Sequence, residues 1–323
     1  MVLRRHIRFA VVLAVGLLAV LGGCGSSETR SVAPTPDNPF LDYSVGRDDA
    51  FEVVTWNLHN FATDGGEHEV ELVVEAILAM GADVVALQEI KEESRFTALI
   101  ERLPGWSGYQ ATSTSYDQDL GYVWVDSSVT VRTIAELRPA IEDAWRPFPR
   151  WPLVLEITWQ GVDLALINNH FKCCGDGELE PDDPGDEETR RLAASLVLEE
   201  HIAAAYPDAA VILLGDLNDR LDDPPAHDVF APFRSRPDLY RFADQAVAEG
   251  PQSGWSYGPG QSHLDHILVN APLLAALDDP AATCGTLRID FALAAGDFNA
   301  LMSDHAPVAL VLPGASLPGW SGR

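Results

Sequence analysis

The feature that most constrains the fold of this chain is an apolar run ending in a polar turn, residues 211–219, Val-Ile-Leu-Leu-Gly-Asp-Leu-Asn-Asp. The four apolar residues before Gly215 are too few for a helix and predict a buried strand. The glycine allows a sharp turn, so Asp216 and Asn218 project together at the carboxyl end of that strand. A carboxylate and an amide at this spacing suit a hard cation and a negatively charged substrate. Asp and Asn also form ordinary turns, so the motif taken alone favours a plain turn.

Strand-like and helix-like patterns follow one another from residue 51 to residue 313. Their mixture, with hairpin-like strand runs, predicts an α/β fold in which helices pack on the outside of paired sheets. No Pro/Gly/Ser-rich linker divides this region, which predicts one domain over 51–313 and a C-terminal tail at 314–323. The predicted strands are 51–57, 83–89, 121–126, 129–134, 153–158, 163–169, 211–214, 264–269 and 307–312, and the predicted helices are 70–78, 92–103 and 187–205.

The N-terminus has the features of an export signal. Three arginines precede an apolar run over residues 9–21, which is short for a membrane span and is followed by Leu-Gly-Gly-Cys24. This ending resembles the bacterial lipobox, which implies cleavage after a signal peptide of residues 1–23 and lipidation of Cys24. Residues 24–50, rich in Ser, Pro, Asp and Thr, are predicted to be a flexible tether. We therefore expect an exported protein, lipid-anchored in the membrane of the bacterial cell envelope, either periplasmic or at the cell surface.

The charge of the chain bears on its partners. Taking the three arginines of residues 1–23 from the 21 basic residues leaves 18 against 49 acidic ones, a formal net charge of −31. Lys91 and Lys172 are the only lysines in the sequence. Such a surface repels nucleic acid at low salt, because DNA binding usually depends on neutralised phosphates. It is equally consistent with a salty medium, in which the repulsion is screened.

Three cysteines lie beyond Cys24, at Cys173, Cys174 and Cys284. An exported protein is permitted a disulfide, and one of the adjacent pair is predicted to bond Cys284. A zinc site is the weaker alternative, because the spacing resembles no zinc motif.

Polar residues recur at the ends of the predicted strands, in the order Asn57, Glu89, Asn168 with His170, Asp216 with Asn218, Asp265, and Asp304 with His305. With their neighbours they form six short stretches that resemble the endonuclease/exonuclease/phosphatase superfamily, whose best-known members are DNase I-like nucleases. The resemblance implies a four-layer sandwich of two packed mixed β-sheets flanked by helices, with the site where strand ends meet. The matching stretches are Thr55–Leu58, Asp83–Glu89, Ile167–His170, Leu214–Asn218, Leu264–Leu268 and Ser303–Pro307.

The resemblance implies a divalent metal site. Glu89 would bind the catalytic metal with the help of Asn57 and Asp304. Mg²⁺ prefers oxygen ligands and keeps several waters, so one or two protein carboxylates suffice. We therefore expect Mg²⁺, with Mn²⁺ or Ca²⁺ as alternatives.

The resemblance also implies the catalytic roles. Asp216 and Asn218 would hold the attacking water and a phosphate oxygen. His305 would be the general base, kept in its tautomer by Asp265, and His170 would donate to the scissile phosphate or leaving oxygen. Cleavage of a phosphate ester needs these functions in any scaffold, and a His–Asp pair is a common way to poise a base.

Three further residues bear on substrate. Asn168 is expected to contact it. Arg150 lies in Phe148-Pro-Arg-Trp-Pro152, which resembles the stretch where the nucleases place a phosphate-binding arginine. An arginine stacked on a tryptophan in a Pro-rich loop is the alternative. Asp119 occupies the place where the family often has an acid that pairs with the equivalent of His170; a loop aspartate is the competing interpretation.

The predicted function is that of a metal-dependent phosphodiesterase, first of all a nuclease that hydrolyses DNA or RNA. The alternatives are a phosphatase or phosphodiesterase for small-molecule or lipid phosphate esters, and a binding lipoprotein without activity. The Arg150 stretch and the export signal favour the nuclease, while the acidic surface disfavours it. No oligomer signal is present, so a monomer is expected.

Overall fold

Two six-stranded β-sheets form the centre of the protein in its computed structural model, which describes residues 37–63, 65–112, 118–141, 143–258, 261–294 and 296–320. The strand order is β11-β12-β1-β2-β4-β3 in the first sheet and β5-β6-β7-β8-β10-β9 in the second. The strands are β1 Ala50–Phe61, β2 Val84–Ile90, β3 Trp106–Gln110, β4 Asp119–Val125, β5 Val129–Glu136, β6 Leu153–Trp159, β7 Val162–His170, β8 Ala210–Asp216, β9 Tyr240–Phe242, β10 Asp265–Asn270, β11 Thr283–Thr286 and β12 Val308–Pro313.

Helices cover the outer faces of both sheets. Helices α1 and α2 pack with the first sheet in one apolar cluster, and α3 and α4 pack with the second sheet in another. A third cluster fills the space between the sheets, where the rings of Phe51 and Trp159 meet edge to face at 5.7 Å. The predicted four-layer sandwich is therefore confirmed. The helices are α1 Gly66–Met80, α2 Glu93–Glu101, α3 Glu187–Ala205, α4 Ala231–Arg234, α5 Gln245–Ala248, α6 Leu274–Leu277 and α7 Asp297–Leu301.

Each sheet has one parallel pair of strands, with antiparallel strands on both sides. The parallel pairs are β1–β2 in the first sheet and β7–β8 in the second. Parallel neighbours end at the same edge of a sheet, so the residues at their carboxyl ends lie side by side. Strand β8 is buried along its whole length between β7 and β10, which explains its unbroken apolar sequence.

The domain extends further at both ends than the sequence predicts. Phe40 is fully buried, and the Asn38 side chain donates to the carbonyl of Glu75 at 2.7 Å, so the predicted tether over 24–50 is wrong from residue 37 onward. Leu317 and Trp320 of the predicted tail pack against the core between the sheets. Residues 1–36, with the predicted signal peptide and Cys24, lie outside the described residues. Within the described ranges, no helix combines the length and apolarity needed to cross a membrane.

The predicted disulfide to Cys284 is wrong. Cys284 lies in β11 at the edge of the first sheet, whereas Cys173 and Cys174 follow β7 of the second sheet. All three are free thiols.

Candidate active site

The strand registers bring the predicted site residues to one edge of the sandwich. In the second sheet, Asp216 of β8 is paired with His170 of β7 on one side and with Asp265 of β10 on the other. In the first sheet, Asn57 of β1 lies beside the end of β2, next to Glu89. The parallel pairs of the two sheets thus end above one another, and their polar side chains converge.

A cavity of 680 Å³ opens at this edge. Its wall carries residues of the predicted site from both sheets, together with residues outside that predicted set. The predicted residues on the wall are Glu89, His170, Asp216, Asn218, Asp304 and His305.

Asn57 connects the carboxylates of the two sheets. Its amide nitrogen donates to Glu89 Oε1 at 3.2 Å and to Asp216 Oδ2 at 2.8 Å. Glu89 has a φ of +60°, a conformation that non-glycine residues rarely adopt and that is concentrated at functional sites. The other oxygen, Oε2, accepts from the Asn60 backbone at 3.0 Å and from Gln118 Nε2 at 2.9 Å.

The chemistry of Asn57, Glu89 and Asp304 fits a divalent cation. All three offer side-chain oxygens, the ligands that Mg²⁺ prefers. Asp304 Oδ1 is buried without a hydrogen-bond partner among the described residues. Two imidazole nitrogens lie near it, His59 Nδ1 at 3.7 Å and His305 Nε2 at 4.0 Å. A buried carboxylate oxygen without a hydrogen-bond partner fits a cation ligand, because burial of an unsatisfied oxygen costs free energy.

The backbone before His305 is fixed against β1. Ser303 Oγ donates to the carbonyl of Asn57 at 2.6 Å and accepts from the His305 backbone at 2.9 Å. The indole of Trp56 donates to the carbonyl of His305 at 2.9 Å. Because β12 runs antiparallel to β1, the residues preceding β12 reach the carboxyl end of β1 and enter the site.

His305 is held by a buried carboxylate. Its Nδ1 lies 2.7 Å from Asp265 Oδ2, and its Nε2 faces Asp216 Oδ2 at 3.9 Å. Burial alone would lower the pKa of this imidazole, but the charges of Asp265 and Asp216 outweigh burial and raise the pKa to about 10. At neutral pH the ring therefore keeps its proton.

Asp216 lies on a turn that only glycine permits. Gly215 has a φ of +141°, and a Cβ there would lie 1.9 Å from the carbonyl oxygen of Asn169. Beyond the turn, the Asn218 backbone has a φ of +52° and donates to Asp216 Oδ1 at 3.1 Å. Burial raises the pKa of Asp216 to about 7, the nearby charge of His305 opposes that rise, and the charge of Asp265 adds to it.

His170 faces the same carboxylates. Its Nε2 lies 3.6 Å from Asp216 Oδ2 and 3.8 Å from Glu89 Oε1. Burial, followed by the positive charges of Arg150 and His305, lowers the pKa of His170 well below its usual value. The ring is therefore neutral at physiological pH.

The residues of this site fall within the match to a known protein family. A model of the Endonuclease/Exonuclease/phosphatase family matches residues 54–305, most of the chain. The chain belongs to this family. The match begins in β1 and ends at His305, so it includes every strand end that lines the cavity. No curated protein matches the sequence.

Solved structures share the fold of this family member. TDP2 from D. rerio, in complex with a single-strand DNA product, has a TM-score of 0.61 and 16% identity, covering 82% of this chain and 99% of that chain. The catalytic domain of human Nocturnin, with bound sulfate, has a TM-score of 0.60 and 17% identity, covering 83% and 95%. An endonuclease/exonuclease/phosphatase from Bacteroides vulgatus has a TM-score of 0.58 and 14% identity, covering 81% and 98%. At these identities the likeness concerns the fold alone.

In this family member, two sequence predictions need correction. Asn168 is fully buried between the sheets, where it accepts from Gln88 Nε2 at 2.7 Å and donates to the carbonyls of Leu87 and Gly121, each at 3.0 Å. Its amide is thus used to join the two sheets, so it is not placed to contact substrate. Asp119, which the sequence pairs with His170, instead accepts from Gln110 Nε2 at 3.0 Å. His170 Nδ1 has no hydrogen-bond partner within the described ranges.

Arg150 is buried behind the cavity rather than on its wall. Its guanidinium donates to Gln118 Oε1, and Gln118 in turn donates to Glu89 Oε2. It therefore supports the Glu89 carboxylate through one intervening amide, and the predicted phosphate contact stays a prediction.

A buried ion-pair network, which the sequence does not predict, lies behind Asn218. Arg191 of α3 donates from Nε to Asp219 Oδ2 at 2.7 Å and from Nη2 to Glu188 Oε1 at 2.8 Å. Asp219 directly follows Asn218, so the network holds the turn over residues 215–219. The only sequence signal is an acidic residue after the motif, which indicates no partner.

Three buried residues, Asp244, His263 and His266, form a second cluster of potential metal ligands. Asp244 Oδ2 lies 3.0 Å from His263 Nε2 and 2.6 Å from His266 Nδ1, while His266 Nε2 contacts the carbonyl of Asp219 at 2.8 Å. Both imidazoles are thus already engaged, and His266 anchors the backbone of the turn over residues 215–219. The cluster is structural.

Proposed function

We propose that this protein is an exported, metal-dependent phosphodiesterase that hydrolyses nucleic acid. The observation that carries the proposal is the convergence of two groups in one cavity. The first is the buried acid–base set of His305, Asp265 and Asp216. The second is the oxygen-rich set around Glu89 and Asp304. Phosphoric ester hydrolysis needs both, one to move protons and one to neutralise charge.

Glu89, Asn57 and Asp304 would hold the cation, for which Mg²⁺ is the first candidate and Mn²⁺ or Ca²⁺ are alternatives. When bound, such a cation neutralises negative charge on a phosphate oxygen and helps to orient the ester. The Asn57 amide keeps the carboxylates of Glu89 and Asp216 at a set separation through its two hydrogen bonds.

The residues of the second sheet would move the protons. His305 and Asp216 interact closely and titrate as a pair, so the proton removed from the attacking water goes to that pair. Asp265 orients the imidazole through Nδ1, which leaves Nε2 facing the cavity. Asn218 and the neutral His170 stand beside Asp216 on the cavity wall, and from there they would donate to phosphate oxygens.

A second candidate, hydrolysis of a small phosphate ester, is favoured by the charge of the cavity wall. Acidic side chains outnumber basic ones there, and both arginines on the wall are paired with carboxylates: Arg191 with Glu188 and Asp219, and Arg220 with Asp222. A polyanion meets more repulsion on such a wall than a small ester does.

Plasmid nicking separates the two candidates. The full chain, purified in mild detergent, is incubated with supercoiled plasmid and Mg²⁺ at low and high salt, with His305→Ala as the blank. We expect nicking that the blank lacks and that rises with salt, because salt screens the acidic surface. Absence of nicking at every salt concentration, with phosphate released from small esters, would replace the nuclease proposal by the second candidate.

The cellular location is a separate proposal. We propose that the chain is exported and lipidated at Cys24, on the basis of its N-terminal sequence. Bacterial cells expressing the chain should incorporate labelled fatty acid into the wild type and not into Cys24→Ala. Equal labelling of both would refute the anchor.

A further inference from the structure

Two adjacent thiols lie on the wall of the catalytic cavity. Cys173 and Cys174 both line it, three and four residues after His170. Cys174 is exposed and Cys173 is partly exposed, so solutes reach both. Their Sγ atoms are 3.1 Å apart, and Lys172 Nζ lies 3.8 Å from Cys173 Sγ.

This geometry favours a labile bond between the two sulfurs. A disulfide needs an S–S distance of about 2.05 Å, so a movement on the order of 1 Å joins them. Neighbouring Cα atoms across a trans peptide are about 3.8 Å apart, less than the roughly 4.4–6.8 Å usual for a disulfide. A disulfide between neighbours is therefore strained, and strained, exposed disulfides are the readily reduced ones.

The backbone that carries the thiols is connected to the turn over residues 215–219. Arg191 Nη1 donates to the carbonyl of Lys172 at 2.8 Å and to that of Cys174 at 2.9 Å. The same guanidinium donates from Nε to Asp219, the residue after Asn218. Cys174 has a φ of +73°, so its carbonyl direction depends on an uncommon backbone conformation. We expect the closing of a ring between the sulfurs to turn these peptide groups and to disturb the Arg191 contacts.

We propose that Cys173 and Cys174 are a reversible redox-modification site that controls the turn over residues 215–219. A small-molecule disulfide is the oxidant. The two thiols lose two protons and two electrons and form one S–S bond, while the oxidant is reduced to two thiols. The oxidised protein has a loosened turn around Asp219 and a lower turnover, and a dithiol reductant restores both. The effect on turnover rests on the proposed hydrolase function, whereas the bond and the loosened turn do not.

Peptide mapping detects the disulfide between Cys173 and Cys174 directly. The full chain is treated with oxidised glutathione or with dithiothreitol, alkylated and digested with trypsin. Cleavage after Lys172 and after Arg190 releases residues 173–190, which contain both cysteines of the pair and no other cysteine. We expect this peptide, after oxidation, to lose two hydrogens and to resist alkylation. Two alkylated cysteines, or a stable glutathione adduct, would overturn the site.

Hydrogen exchange and turnover measure how the disulfide affects the turn around Asp219. Backbone exchange around Asp219 should be faster in the oxidised protein. Hydrolysis of a small phosphodiester should fall by at least ~10-fold, because a shift on the order of 1 Å at a catalytic group costs about 10²-fold. Cys174→Ser should abolish both responses, while Cys284→Ser, the matched control in β11, should respond like the wild type. A bond that forms without any change in exchange would overturn the coupling, even in a protein without measurable hydrolase activity.

Discussion

Replacing Asp265 by Asn should slow turnover and lower the pKa of His305 together. The carboxylate is fully buried, and its Oδ2 lies 2.7 Å from Nδ1 of His305. Asn has nearly the same shape, so the fold should persist while the negative charge is lost. The amide can also present its NH₂ group to Nδ1, which stabilises the wrong tautomer of the imidazole.

The magnitude follows from this single contact. A hydrogen bond to a charged group contributes about 1.5–3 kcal/mol, and one pKa unit corresponds to about 1.4 kcal/mol, so the pKa of His305 should fall by about one to two units. Loss of an oriented general base lowers turnover by roughly 10²- to 10⁴-fold. The raised pKa of His305, about 10 against an ordinary 6.5, contributes stability below pH 6.5 that is lost as the pH rises through 10. Asp265→Asn should therefore destabilise the fold more at pH 6 than near pH 10.

The assay is a pH–rate profile of a small phosphodiester with excess Mg²⁺. The rate should rise with pH as the pair of His305 and Asp216 loses a proton, and in Asp265→Asn this limb should move to lower pH with a reduced plateau. Asp163→Asn, which changes an exposed residue near the other end of β7, is the matched control and should leave the profile unchanged. A limb that stays in place or moves to higher pH, or turnover close to the wild type, would refute the reasoning.

Three further predictions concern stability and metal binding. Burial, followed by the charge of Asp83, raises the pKa of Glu52 to about 9. Between pH 4.5 and 9 the folded protein therefore holds one more proton than the unfolded chain. Its free energy of unfolding falls by about 1.4 kcal/mol for each unit that the pH rises in this range. Glu52→Gln should therefore raise the melting temperature at pH 8.5 and change it little at pH 4.5, and an equal shift at both would contradict this. Gly215→Ala should lower the free energy of unfolding in urea by about 3 kcal/mol, because its Cβ meets the Asn169 carbonyl; an unchanged urea midpoint would disprove the steric argument. Glu89→Gln should weaken Mg²⁺ binding by at least ~10-fold in calorimetry, and unaltered affinity would remove Glu89 from the metal site.

Much of the site is visible in the sequence because it lies at strand ends. Apolar runs such as residues 211–214 are recognisable locally, and the polar residue after each run falls at the edge of a sheet whatever the partner strand is. Helix α3 is equally visible: it spans Glu187–Ala205, as predicted, and its first turn is capped by Asp186, which accepts from the Thr189 backbone at 2.7 Å.

The sequence does not show how deeply a side chain is buried between the two sheets. Asn168 and His170 lie two residues apart on β7 and face the same side of the sheet, as strand alternation requires. His170 reaches the cavity, whereas Asn168 lies one step further in, where the first sheet covers it and uses its amide. Only the packing of one sheet on the other decides which side chain of such a pair reaches the cavity and which is buried between the sheets.

The sequence by itself determined the layered α/β architecture, most strand and helix positions and the set of polar strand ends, because these depend on short-range periodicity. The tertiary structure decided which of those polar groups meet. It paired Asp265 with His305 across 40 residues, connected Arg191 to Asp219, and placed Cys173 and Cys174 on the cavity wall. These contacts join segments far apart in the chain, and their partners are selected by sheet register and burial, for which a local pattern carries no information.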